Sequence, residues 1–183
     1  KSYLTDDDLD EEFKYYLADT MKIFNENNEE QIKLFYEKRK NGENDDIICQ
    51  YIKKDMIEEF ITHINKTGLP LSSQIESSIF EIDSLSKSSS LIELASFYGS
   101  IQIFKYLQKN GVELVPSLWK YAIHGDDPEI IHILEENQHL KGMSLKDEKN
   151  YVLCMKEAIK CHHNDIANYI QNNYKTNDSN DIY

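Results

Sequence analysis

Leu91-Ile92-Glu93-Leu94-Ala95-Ser96-Phe97-Tyr98-Gly99, continued by Ser100-Ile101-Gln102-Ile103-Phe104-Lys105-Tyr106-Leu107-Gln108-Lys109-Asn110-Gly111, reads as a helix, a tight turn, a second helix and a glycine stop. Shifting this stretch by 27 residues superimposes Leu91 on Leu118, Ala95 on Ala122, Ile103 on Ile130, Leu107 on Leu134 and Asn110 on Asn137. Four of these five coincidences are apolar, which marks an internal repeat. A further shift of 36 places Ala122 on Ala158, Ile130 on Ile166 and Leu134 on Ile170, with the added length falling in the polar segment Gln138 to Asn150.

One such unit cannot enclose its own core, so successive units must stack. Ala95, Ala122 and Ala158 are small enough to let neighbouring inner helices approach closely. Ile103, Leu107, Ile130, Leu134, Ile166 and Ile170 then bury the face between units. Upstream, Asp46 precedes a short helix with Ile47, Ile48, Tyr51 and Ile52, and Asp55 is placed to cap a second with Ile57, Phe60, Ile61 and Ile64. Placing Ile64 on Leu107 and Gly68 on Gly111 makes this hairpin a degenerate first unit.

The flanks differ in character. Leu9, Phe13, Leu17, Met21 and Phe24 form one apolar stripe behind Asp6, Asp7 and Asp8, and a second helix carries Ile32, Phe35 and Tyr36. These two helices are expected to cap the array. Leu71 to Ser90 holds nine serines and a weak pattern at Ile75, Ile79 and Ile82, read as one short helix followed by a flexible loop. The expected organisation is an N-terminal helical cap region over 1–44, repeats over 45–174 (45–71 degenerate, 90–115, 116–140 and 151–174) and a polar tail over 175–183.

Composition narrows the function classes. The chain of 183 residues carries a net charge of −13, a field that repels phosphate backbones and anionic lipid, so neither nucleic acid nor membrane is an expected partner. No apolar run approaches the roughly 18 residues of a membrane helix. Three irregularly spaced cysteines, Cys49, Cys154 and Cys161, do not suit a disulfide framework, which favours an intracellular, cytoplasmic setting. The chain begins at Lys1 without a Met, as a piece of a longer protein would.

The repeat resembles the ankyrin repeat, with its short inner helix, glycine-containing turn, outer helix and glycine before an extended loop. Ile92, Leu94, Ala95, Gly99, Ile101, Ile103, Leu107 and Gly111 fill that pattern in the best copy. The next copy has Trp119, Tyr121, Ala122, Ile130 and Leu134, with Gly125 one place early and Pro128 in the first turn of the outer helix. In the last, Ala158, His163, Asp165, Ile166 and Ile170 match, and His162 stands where the pattern has Gly. The spelling is similar to a divergent ankyrin-like family expanded in trichomonad protists and classed as a domain of unknown function. The resemblance implies an all-α, ankyrin-like helical-hairpin solenoid that binds protein partners through a concave face and loops.

No catalytic constellation is legible. Cys154, Cys161, His162 and His163 have metal-like composition, but Cys154 and Cys161 are about two helical turns apart, more than about 10 Å, which disfavours a tetrahedral zinc site. No Gly-rich phosphate loop occurs, and Asp126-Asp127 reads as a helix cap. The expectation is therefore a non-enzymatic interaction scaffold with no catalytic, cofactor or metal residues. Glu93, Phe97, Tyr98, Lys120, His124, Lys156 and Lys160 are the candidate partner-binding residues, although Phe97 or Tyr98 would equally serve to pack adjacent units. Self-association, as a homo-oligomer or against the rest of a longer chain, is the alternative.

Overall fold

The computed structural model describes residues 46–76 and 88–174, together with the isolated positions 33, 37 and 44. The expected polar tail and nearly all of the expected cap region lie outside these residues. Over 46–174 the protein is mostly helical: α1 (Ile47–Lys53), α2 (Ile57–Thr67), α3 (Leu91–Phe97), α4 (Ile101–Lys109), α5 (Leu118–Gly125), α6 (Pro128–Glu136), α7 (Glu148–Lys160) and α8 (Asn164–Tyr174). A short antiparallel pair, β1 (Gln74–Glu76) and β2 (Ser88–Ser90), joins the first hairpin to the second, with Ile75 opposite Ser89. Ile75 therefore lies in a strand rather than in the expected short helix, and Ile79 and Ile82 lie outside the described residues. In β2 the Ser88 hydroxyl donates to the Gln74 side chain at 2.9 Å and the Ser90 hydroxyl to Glu93 at 2.8 Å.

The helices come in consecutive pairs, and the first helix of each pair packs on the first of the next: α1 on α3, α3 on α5, α5 on α7. Ala95, Ala122 and Ala158 are fully buried in these contacts, as are Ile103, Leu107, Ile130 and Leu134 in the second helices. At roughly 25 cal/mol per Å² of apolar surface, this repeated burial is the main favourable term.

Every pair bends at a residue in the left-handed region: Asp55 (φ 50°), Gly99 (66°), Asp126 (53°) and His162 (61°). The shifts of 27 and 36 that superimpose the apolar residues also superimpose the last three of these. His162 thus adopts the turn conformation that Gly99 adopts, and Asp and His are among the side chains that enter this region with least penalty. Three bends share one hydrogen-bond pattern: the amide after the left-handed residue reaches back to a helix carbonyl. Met56 donates to Tyr51, Ser100 to Ala95 and His163 to Ala158, at 2.8–2.9 Å.

Asp55 does not cap α2, as its position suggested. Its carboxylate accepts from the amides of Gln102 and Ile103, both at 3.0 Å, and so caps α4 in the following pair. Ser100, the residue that would otherwise cap α4, donates its hydroxyl to the Ile52 carbonyl of α1. The two pairs thus satisfy each other's helix ends. Asp127 does cap its own helix, accepting from Glu129 and Ile130 at 3.0 and 2.9 Å ahead of Pro128.

Gly125, one place early for a turn glycine, has a different role. A Cβ built there would lie 2.3 Å from the Ser96 carbonyl oxygen and 2.9 Å from that of Phe97. The C-terminal ends of α3 and α5 touch backbone to backbone at this point. The polar segment after α6 is likewise more than a spacer: it buries Met143 and Leu145, and Trp119 donates its indole N–H to the Met143 carbonyl at 2.7 Å. The Asn150 amide holds the Gly142 and Ser144 carbonyls at 2.7 and 2.9 Å.

Two measurements check these assignments. Gly125→Ala should destabilise the fold by about 1–3 kcal/mol in urea denaturation, because backbone atoms cannot step aside as a side chain would. Asp55→Ala should cost about 1–2 kcal/mol, and Asp55→Asn less, since Asn tolerates the left-handed conformation and keeps one acceptor oxygen.

Candidate functional site

The backbone contact at Gly125 brings the end of α3 over α5, and the Phe97 ring stacks on the imidazole of His124 with centroids 4.1 Å apart and planes 11° from parallel. On the next helix, Glu157 and Cys161 are four residues apart and therefore share a face of α7. That face meets His124. His124 Nδ1 lies 3.1 Å from Glu157 Oε1 and 3.2 Å from Cys161 Sγ, and Cys161 Sγ lies 3.6 Å from the same Glu157 oxygen. Among the described residues this is the one group of three or more His, Cys, Asp or Glu side chains whose donor atoms converge in this way.

Glu157 is 5% exposed, which for a carboxylate calls for polar partners, and His124 and Cys161 supply them. The Cys161 thiol donates toward Glu157 Oε1, and His124 Nδ1 faces the same oxygen. Burial and the adjacent Glu157 carboxylate together push the Cys161 thiol above its ordinary range, the Lys160 ammonium offsetting only part of this. Below the group, His163 Nε2 approaches the His124 carbonyl at 3.3 Å and its Nδ1 lies 3.6 Å from Asp126. These contacts tie the third bend to the fourth.

The arrangement is poorly suited to nucleophilic catalysis. An activated thiol needs one imidazole nitrogen facing the sulfur and the other oriented by the carboxylate. Here both partners meet Nδ1, and the carboxylate raises the thiol pKa instead of lowering it.

Cys154, Cys161, His162 and His163, whose spacing disfavours zinc, do not converge as one group among the described residues. Cys154 is fully buried, and desolvation pushes its thiol up to about 12. His162 is exposed in its left-handed bend. Of the expected binding residues, Phe97 is only 6% exposed and belongs to the core, where Tyr121 and His124 flank it. Glu93 is engaged in a capping box, accepting from the Ser90 amide and hydroxyl at 2.8 Å each, and also accepts from the Ser117 hydroxyl at 2.6 Å. Phe97 is therefore a packing residue, while Glu93 is half-buried with both carboxylate oxygens engaged. Tyr98 is half-buried against Phe97 with the Lys53 ammonium over its ring, and the Lys120 ammonium lies over Tyr121. Lys156 and Lys160 are exposed on α7.

Comparison of the chain with family models, with curated proteins and with solved structures returns no match. Among the described residues no helix is long and apolar enough to cross a membrane.

Glu157 is the member that sequence reading missed. Its four-residue offset from Cys161 was visible, but its burial follows from the packing of α7 on α5. Cys49, Cys154 and Cys161 form no disulfide and differ in access. Timed alkylation in metal-free buffer at pH 8 should modify Cys161 first, more slowly than in the unfolded chain because less of it is thiolate. Cys49 and Cys154 should react only after unfolding, as peptide mass spectrometry would reveal. Because the folded state holds the Cys154 proton between 9.0 and about 12 while the unfolded chain releases it, stability should also fall as pH rises through that window.

Proposed function

We propose that residues 46–174 form a short ankyrin-like solenoid, and that this array is a non-enzymatic scaffold recognising a protein partner through its concave face and loops. The observation that carries the reading is recurrence: four helix pairs each bend at a left-handed residue, three of them in register, and their first helices pack one on the next. Such a stack aligns corresponding positions of successive units into one surface, which is how repeat arrays bind. Of the expected contact residues, Lys156 and Lys160 are exposed on α7, and Tyr98 and Lys120 are half-buried beside α3 and on α5. His124 is half-buried in the same region, between Phe97 and Glu157.

A specific observation favours a second reading, packing against a further hairpin or another copy of the chain. Val152 and Ile159, about two turns apart on α7, are 38% and 62% exposed. Apolar residues left open on the last first-layer helix are what an additional unit would cover.

Affinity capture with the unaltered chain and with Lys156→Glu/Lys160→Glu separates these readings when combined with light scattering. A protein retained by the first and lost with the second, from a monomeric chain, is the outcome expected of the scaffold. A stable oligomer that dissociates on Ile159→Lys, with no captured protein, would replace it with self-association.

A further inference from the structure

We propose that His124, Glu157 and Cys161 form a binding site for a divalent transition-metal ion of the zinc class, with Nδ1, Oε1 and Sγ as ligands. The distances carry the assignment. Bonds of about 2.0–2.1 Å to nitrogen and oxygen and about 2.3 Å to sulfur, at the tetrahedral angle, place the ligand atoms about 3.3–3.6 Å apart. The three separations here are 3.1, 3.2 and 3.6 Å, close to one triangular face of that tetrahedron.

The donor types agree with the geometry. A thiolate, an imidazole and a carboxylate together select zinc-like ions over magnesium or calcium, which take oxygen ligands. On binding, the ion displaces the Cys161 thiol proton to solvent, and His124 ligates as a neutral imidazole with its ring proton on Nε2. The positioning is built in: Phe97 fixes the plane of the His124 ring, and Glu157 and Cys161 are held by one helical face. Three protein ligands leave the fourth position of the tetrahedron for water or for a donor supplied by a bound partner.

The ion would clamp α5 to α7, one hairpin to the next. This differs from the set Cys154, Cys161, His162 and His163 suggested by sequence proximity, sharing only Cys161, and is independent of whether the array binds a protein.

Titration of the full chain with Co²⁺ tests the site, because a thiolate ligand gives a near-ultraviolet charge-transfer band and tetrahedral coordination gives visible bands. One ion per chain with both features, displaced by Zn²⁺, is expected. Cys161→Ser should abolish the near-ultraviolet band, and His124→Gln or Glu157→Gln should weaken binding by more than about 100-fold, since even groups that merely support metal ligands account for about 10- to 100-fold. Circular dichroism of each metal-free variant verifies folding. A measurement on the unaltered chain needs no variant: stoichiometric Zn²⁺ should protect Cys161 from alkylation by more than tenfold. Unchanged alkylation at saturating Zn²⁺, no stoichiometric Co²⁺ uptake, or a charge-transfer band surviving in Cys161→Ser would each overturn the assignment.

Discussion

At Gly125 two helices meet with no side chain between them, and the spacing of the central hairpins depends on that contact. The Ser96 and Phe97 carbonyls occupy the volume that any Cβ would need. With α3 and α5 at this separation, Ala95 and Ala122 are fully buried, and the Phe97 ring reaches the face of His124. His124 in turn presents Nδ1 to α7. The candidate site therefore depends on main-chain packing of α3 on α5, one layer before the helix that supplies the carboxylate and thiol.

The four bends show how one backbone conformation is kept with different chemistry. Gly enters the left-handed region through lack of a Cβ, while Asp and His do so at modest cost and bring polar groups that a glycine lacks. Asp55 spends its carboxylate on a helix start in the next hairpin, and Asp126 lies beside His163 across the bend. Helix ends that would otherwise need water are thus satisfied between units. Farther out, the Tyr169 and Tyr174 hydroxyls both donate to Glu135, at 2.8 and 2.9 Å, joining α8 to α6 by similar means.

The periodic apolar positions were legible because each reports a local requirement: Ala95, Ala122 and Ala158 recur at the same place in a helix, and the buried isoleucines and leucines follow them. Departures from the pattern were visible but their meaning was not. Gly125, one place early in the repeat, shows its reason only with α3 placed against it, and His162, standing where the pattern has Gly, bends as Gly99 does. Asp55 was read as a cap of the adjacent helix because sequence offers only the adjacent helix. Phe97 at a helix end is compatible with solvent or core, and the stacked imidazole that decides the matter comes from the following unit. Glu157 resembled any surface glutamate of a helix, since nothing local announces burial between two helices.

Trp119 is the chain's single tryptophan, fully buried, with its indole N–H held by the Met143 carbonyl of the segment after α6. The molecule thereby carries its one indole fluorophore, which can be excited apart from the tyrosines, at the seam between a helix and an inserted loop. Hydration of that seam shifts its emission to the red whether or not the rest of the stack has opened. The spectrum of the unlabelled protein therefore separates local release of the insertion from global loss of helix seen by circular dichroism.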